Sequence, residues 1–169
     1  VIIIVLGVAG SGKSTIAKAL ADANHWQYID ADDFHSDTNK TKISQGEALT
    51  DEDRSPWLQT LRTLIRHWLD TDRTTVLACS ALKHRYRIAL GDNDPAVRFV
   101  YLKGSYDLIA KRLQERKAHF AKVDLLKSQF EILEEPSSDE AIQIDIDIET
   151  DVDSIVREID RKISIHASH

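Results

Sequence analysis

The chain has 169 residues, 42% apolar and 30% charged, with a formal net charge of −6 and one cysteine, Cys79. This is the size and balance of one globular domain with a full core; the acidic excess argues against a nucleic-acid partner. A lone cysteine excludes an intramolecular disulfide and fits a reducing, cytoplasmic compartment, and no apolar run nears the roughly 18 residues that a membrane span takes.

Residues 1–6, VIIIVL, form a β-branched apolar run suited to a buried parallel strand, too short and too poor in basic flanks for a signal peptide. The loop that follows satisfies G-x-x-x-x-G-K-[ST] with Gly7, Gly12, Lys13 and Ser14. Each residue type has a task on a polyphosphate. The glycines let the backbone of Gly7, Val8, Ala9, Gly10, Ser11 and Gly12 curl so that N–H groups face inward. Lys13 reaches the β/γ-phosphates, and Ser14 offers a hydroxyl to Mg²⁺. A helix over 13–23, opening through Ser14 and Thr15, points its positive end at the same anion. Strand, loop and helix in that order predict an ATP site.

The second strand, 26–30, runs into Asp30-Ala31-Asp32-Asp33-Phe34-His35. In an open α/β sheet, ligands bind beyond the carboxyl ends of the strands. Asp30 and Asp32 alternate and so are expected to share a side. One carboxylate can hold Mg²⁺ through water and the other can accept the proton of an attacking hydroxyl; we assign the metal to Asp30 and the proton to Asp32. Two solvated acids in a turn are the plainer alternative. Asp33 is expected to cap the next segment, and His35 is either a substrate contact or an ordinary histidine.

Residues 35–54 are polar, with a short helix over 37–45, and suit a flap over substrate. Asp51, Glu52 and Asp53 precede or open a helix expected over 55–71, with Pro56 in its first turn. Trp57, Leu61, Leu64, Ile65 and Trp68 form its apolar stripe, which predicts core. Arg54, among acids, is either locally paired or a substrate ligand. The third strand, 74–79, ends at Cys79 and Ser80; Cys79 is expected to be a small buried residue, and the Ser80 hydroxyl can meet a polyol. A helix over 82–90 brings Lys83, Arg85 and Arg87 near a strand end, where at least one cation is expected to meet an anionic substrate.

A fourth strand (97–103) and a helix (105–116) follow. Arg112 and Arg116, at i and i+4, share a helix face and could lay guanidinium groups over the transferring phosphoryl. Basic residues 116–123 form a second candidate flap, then come a helix over 124–134, a strand over 141–147 and a helix over 151–163. The acidic alternation around 145–153 is read as strand end and helix start, not as a metal site. Strands alternating with amphipathic helices predict a parallel α/β sheet.

Beyond the phosphate loop, four blocks narrow the field: D-A-D-D-F-H, L-T-D-E-D-R-S-P-W-L, C-S-A-L-K-H-R-Y-R and S-Q-F-E-I-L-E-E-P. From residue 7 to about 147 the chain resembles the gluconokinases. The resemblance implies a P-loop, three-layer α/β/α fold like the nucleoside monophosphate kinases, with a five-stranded parallel sheet and a small helical lid from about Arg112 to Pro136. It implies a homodimer that uses ATP to phosphorylate D-gluconate at the 6-hydroxyl. On it, Asp32 is the base, His35, Arg54, Ser80 and Arg85 line the sugar acid, and His119 and Gln129 are lid-side contacts. Three positions depart from the family pattern: Ser36 for proline, Ala48 in a segment where G-x-P-L is usual, and Ala118 for glycine. They bear on loop stiffness. The alternatives are a same-fold kinase of another hydroxylated acid, such as shikimate, and a non-catalytic nucleotide switch.

Overall fold

A computed structural model describes residues 1–91, 93–115, 120–147 and 150–167. Five parallel strands form one sheet: β1 (Ile2–Leu6), β2 (Gln27–Asp30), β3 (Thr75–Ala78), β4 (Val97–Lys103) and β5 (Ile142–Asp145), in the order β2-β3-β1-β4-β5. Register is fixed by pairs such as Ile4 with Leu77 and with Phe99. The helices are α1 (Lys13–Asn24), α2 (Asp37–Ser44), α3 (Asp51–Leu69), α4 (His84–Leu90), α5 (Tyr106–Glu115), α6 (Phe120–Ile132) and α7 (Val152–Ala167).

Side-chain alternation along β1 divides the core. Ile3 and Val5 pack with Leu20 of α1, Ile109 of α5 and Ile159 of α7. Ile2, Ile4 and Leu6 pack with Trp57, Leu61 and Ile65 of α3 and Leu90 of α4. With β1 wholly buried, each face of the strand seats one helical layer, and the three-layer α/β/α expectation holds.

Two boundaries differ from the sequence expectation. Helix α3 begins at Asp51, four residues before the expected start, because Thr50 and Asp53 form a reciprocal capping box. Pro56 therefore lies inside the helix rather than in its first turn. Strand β2 stops at Asp30: its Oδ1 accepts the Asp32 N–H at 2.9 Å and turns residues Ala31–Phe34 into a short 3₁₀ helix. Asp30 and Asp32 are thus not alternating strand residues. Ser36, and not Asp33, caps α2 by accepting the Asn39 N–H at 3.1 Å. That gives the serine at the usual proline position a structural use. Among the described residues, no helix is long and apolar enough to cross a membrane.

Candidate active site

The loop between β1 and α1 lies at the centre of the sheet, at the carboxyl end of its middle strand. Gly10 (φ +79°) and Gly12 (φ +91°) hold left-handed backbone that a residue with a Cβ rarely adopts. Gly7 is required for space: a Cβ there would lie 2.6 Å from Ser11 Oγ. At Gly10 a Cβ would meet Leu113 at 2.9 Å, so the loop packs directly on α5. The Ser11 N–H donates to the Val8 carbonyl, and the Ala9 N–H donates to Gln129 Oε1 of α6 at 2.6 Å. Lys13, Ser14 and Thr15 open α1, whose first N–H groups have no partner inside the helix.

Beside this cradle, the Ser14 hydroxyl donates to Asp30 Oδ2 at 3.1 Å, and the Tyr28 hydroxyl lies 3.4 Å from the same oxygen. Burial and the Asp30 charge push the Tyr28 phenol up. A hydroxyl beside a carboxylate is a hard oxygen donor pair, and it suits Mg²⁺. Asp32 is solvent-accessible yet closely surrounded by protein, as on the wall of an open cleft. That crowding raises its carboxyl above the usual range, the Lys13 ammonium pulls it back, and Asp30 and Asp33 raise it further. Cys79, fully buried, is pushed up to about 12 by burial and is no nucleophile.

Next to the cradle, residues of the 3₁₀ turn Ala31–Phe34 and of α2, α3 and α4 pack together. His35 is buried, stacked on Trp57 with ring centroids 4.3 Å apart. Burial, with the Arg54 and Lys40 charges, lowers its pKa to about 4, so it is neutral at pH 7. Asn39 Nδ2 lies 3.4 Å from His35 Nδ1 and donates to the Asp53 carbonyl at 2.8 Å. The Trp57 indole N–H donates to the Ala31 carbonyl at 2.7 Å, which fixes the turn carrying Asp32 to α3. Trp57 is core, as expected, and also a wall of the site.

The cations separate by their partners. Arg54 is buried, and its Nη1 donates to the Tyr86 hydroxyl at 3.2 Å. Asp51 binds Lys83 at 3.0 Å and accepts from Arg85 and the Tyr86 hydroxyl, and these donors hold its carboxyl well below the usual range. Arg87 is buried, binding the Ala81 carbonyl (2.7 Å), the Glu134 carbonyl (2.8 Å) and the Glu140 carboxylate. It ties α4 to the segment after α6, whereas Arg54, Lys83 and Arg85 gather around the Tyr86 ring. Ser80 is half-buried at the end of β3, next to Ala81, which holds a positive φ of 41°. Arg112 donates to the Asp147 carbonyl. Arg116, Ala118 and His119 lie outside the described residues.

Sequence reasoning passed over Tyr28, Asn39, Asp51 and Tyr86. Asp51 and Tyr86 were legible in part, since acids at a helix start and a tyrosine among cations are natural hydrogen-bond partners. A separate groove of about 600 Å³ between α3 and α4, lined by Arg62, Arg66, Leu69 and Ile88, opens at the other end of the sheet, before β4. It contains none of the phosphate-loop residues.

Residues 9–164 match the family described as Shikimate kinase. The chain is 41% identical to the thermoresistant gluconokinase of Escherichia coli (strain K12) over 92% of its length and 89% of that protein. It is likewise 41% identical to the gluconokinase of Arabidopsis thaliana over 89% of its length and 87% of that protein. Among solved structures, a gluconokinase from Sinorhizobium meliloti 1021 superposes with a TM-score of 0.82 at 36% identity, covering 99% of this chain and 97% of that one. The shikimate kinase of Aquifex aeolicus reaches a TM-score of 0.60 at 17% identity, covering 99% of this chain and 98% of that one, a likeness of fold alone.

Proposed function

The chain belongs to the gluconokinases, with a domain of the shikimate kinase family, and we propose that it transfers the γ-phosphoryl group of ATP to the 6-hydroxyl of D-gluconate, giving 6-phospho-D-gluconate and ADP. What carries the chemistry is the phosphate loop joined through Ser14 to Asp30 at 3.1 Å, with the exposed Asp32 in the turn that follows directly. Asp32 accepts the proton of O6 as that oxygen attacks the γ-phosphorus and the bond to the ADP oxygen breaks. Lys13 and the N–H groups of residues 7–15 other than Ala9 and Ser11, which already bond to Gln129 and to the Val8 carbonyl, neutralise the phosphates, with Arg112 and Arg116 assigned to the transferring group. Ser14 would hold Mg²⁺ directly and Asp30 through water, and the ion would supply charge neutralisation during the transfer. Most of the rate enhancement then comes from positioning and electrostatics.

Arg54 holds the gluconate carboxylate, because Arg85 is exposed and already bound to Asp51. His35 and Ser80, with His119, meet the hydroxyls. Residues 112–136 act as a lid, closing over a site whose other flap is 35–54, and the enzyme works in the cytoplasm as a homodimer. A shikimate-type acceptor is disfavoured: the shikimate kinase structures compared are only 15–17% identical to this chain. The test is ADP release measured with gluconate, with shikimate and with no acceptor. Gluconate alone should stimulate it, and Asp32→Asn should lower kcat about 10²-fold or more. Stimulation by shikimate, or an unchanged kcat in the variant, rejects the reading.

A further inference from the structure

The resemblance that places Gln129 beside the sugar acid does not account for where its carboxamide goes. It projects from α6 and accepts the N–H of Ala9, a residue of the phosphate loop 120 positions earlier, at 2.6 Å. We propose that Gln129 is a positioning residue for ATP, holding the tip of the phosphate loop in its binding shape by capping the Ala9 N–H.

Three observations converge. The contact is short and joins two segments that share no sheet or helix bond. Oε1 is the end that accepts, so Nε2 remains a donor on the same group beside a loop built for anions. The C-terminal end of the helix that carries Gln129 is tied down: the Glu134 N–H donates to the Leu82 carbonyl at 2.8 Å, and Arg87 grips the Glu134 carbonyl. A glutamine is the residue type that satisfies an N–H at this reach without charge. A glutamate would make the same bond while setting a negative group beside the phosphates. Left uncapped, the Ala9 amide would turn to water and the loop would sample more conformations, at the expense of nucleotide affinity.

The inference rests on residues 7–15 being the ATP cradle, not on the identity of the acceptor. It is tested by titrating AMP-PNP into wild-type, Gln129→Ala and Gln129→Glu proteins without acceptor, at low and high salt. Gln129→Ala should weaken binding about fivefold, with the same loss at both salt concentrations. Gln129→Glu, which keeps the accepting oxygen, should lose about tenfold or more at low salt and recover as salt screens the added charge. In turnover, Gln129→Ala should raise KM for ATP by a similar factor and leave KM for the acceptor within about twofold. Should the alanine variant fail to fold, the salt dependence of the glutamate variant decides alone. Unchanged or tighter binding by Gln129→Ala, or a loss in Gln129→Glu that ignores salt, overturns the proposal. Wild-type protein that fails to bind AMP-PNP overturns it together with the nucleotide site. Normal nucleotide binding without gluconate-dependent ADP release removes the acceptor assignment and leaves this one standing.

Discussion

Arg54 and Arg85 stand about 30 residues apart in sequence and meet at one tyrosine, yet their surroundings give them different work. Arg85 and Lys83 spend their charge on Asp51, at the surface, where such pairs contribute little to stability. Arg54 is buried, its described partner is a neutral hydroxyl, and its charge adds to the burial that keeps His35 unprotonated. Removing a buried cation that pairs with a ligand carboxylate costs a few kcal/mol. Arg54→Ala should therefore raise KM for gluconate about 100-fold, and Arg85→Ala by less than about fivefold, in steady-state assays of both variants. His35 gives a second test at this scale. Its folded pKa of about 4 lies below the ordinary 6.5. Between those values the unfolded chain holds the extra proton, so stability rises with pH across that window and is flat above it. From pH 7.5 to 5 the loss should be about 2 kcal/mol by urea unfolding, and His35→Phe should remove most of it. Asp32, with its raised carboxyl, acts in the opposite sense at the acidic end, and the comparison of variant with wild type subtracts it. The sequence could name Arg54, Arg85 and His35 as candidates because residue type and spacing sufficed. It could not rank them, because the ranking depends on Tyr86 and Asp51, contacts closed only by folding.

The helix that carries Arg54 and Trp57 is set by its first turn. Thr50 and Asp53 satisfy each other's backbone N–H groups, and three acids face the positive end of the helix. Thr50→Ala should cost about 1 kcal/mol in denaturant unfolding. Because the cap fixes the register from which Arg54 projects one turn later, KM for gluconate should rise along with it. Helix α3 also shows what periodicity can and cannot reveal. Its apolar stripe was plain from Trp57 to Trp68, whereas its start was hidden, since a polar first turn has no apolar period to count. The same limit applies to Asp30 and Asp32. Their spacing read as strand alternation, but the Asp30 carboxylate accepts the N–H of Asp32, two residues ahead, and the strand breaks, a local side-chain competition that spacing does not encode.

Across the molecule, the order β2-β3-β1-β4-β5 puts the phosphate loop in the middle of the sheet, with Asp30 ending β2 and Ser80 just past β3 at one side. Five strands, their parallel direction and the layered fold were legible because every buried strand is a short apolar run between amphipathic segments. The meeting of α6 with Ala9 was not, since nothing local announces a bond across 120 residues. The lid assignment makes a prediction at this scale. AMP-PNP with gluconate should slow amide exchange over α5 and α6, while the central strands, already buried, change little. Equal protection everywhere would count against a moving lid.

One consequence concerns the bench. Arg54 is a positive group enclosed by protein with, among the described residues, no carboxylate paired to it. If Arg54 takes the sugar acid's carboxylate as proposed, other small organic acids should compete for it. Acetate and citrate buffers should therefore behave as competitive inhibitors toward the sugar acid, and a Michaelis constant measured in them will overstate the true one.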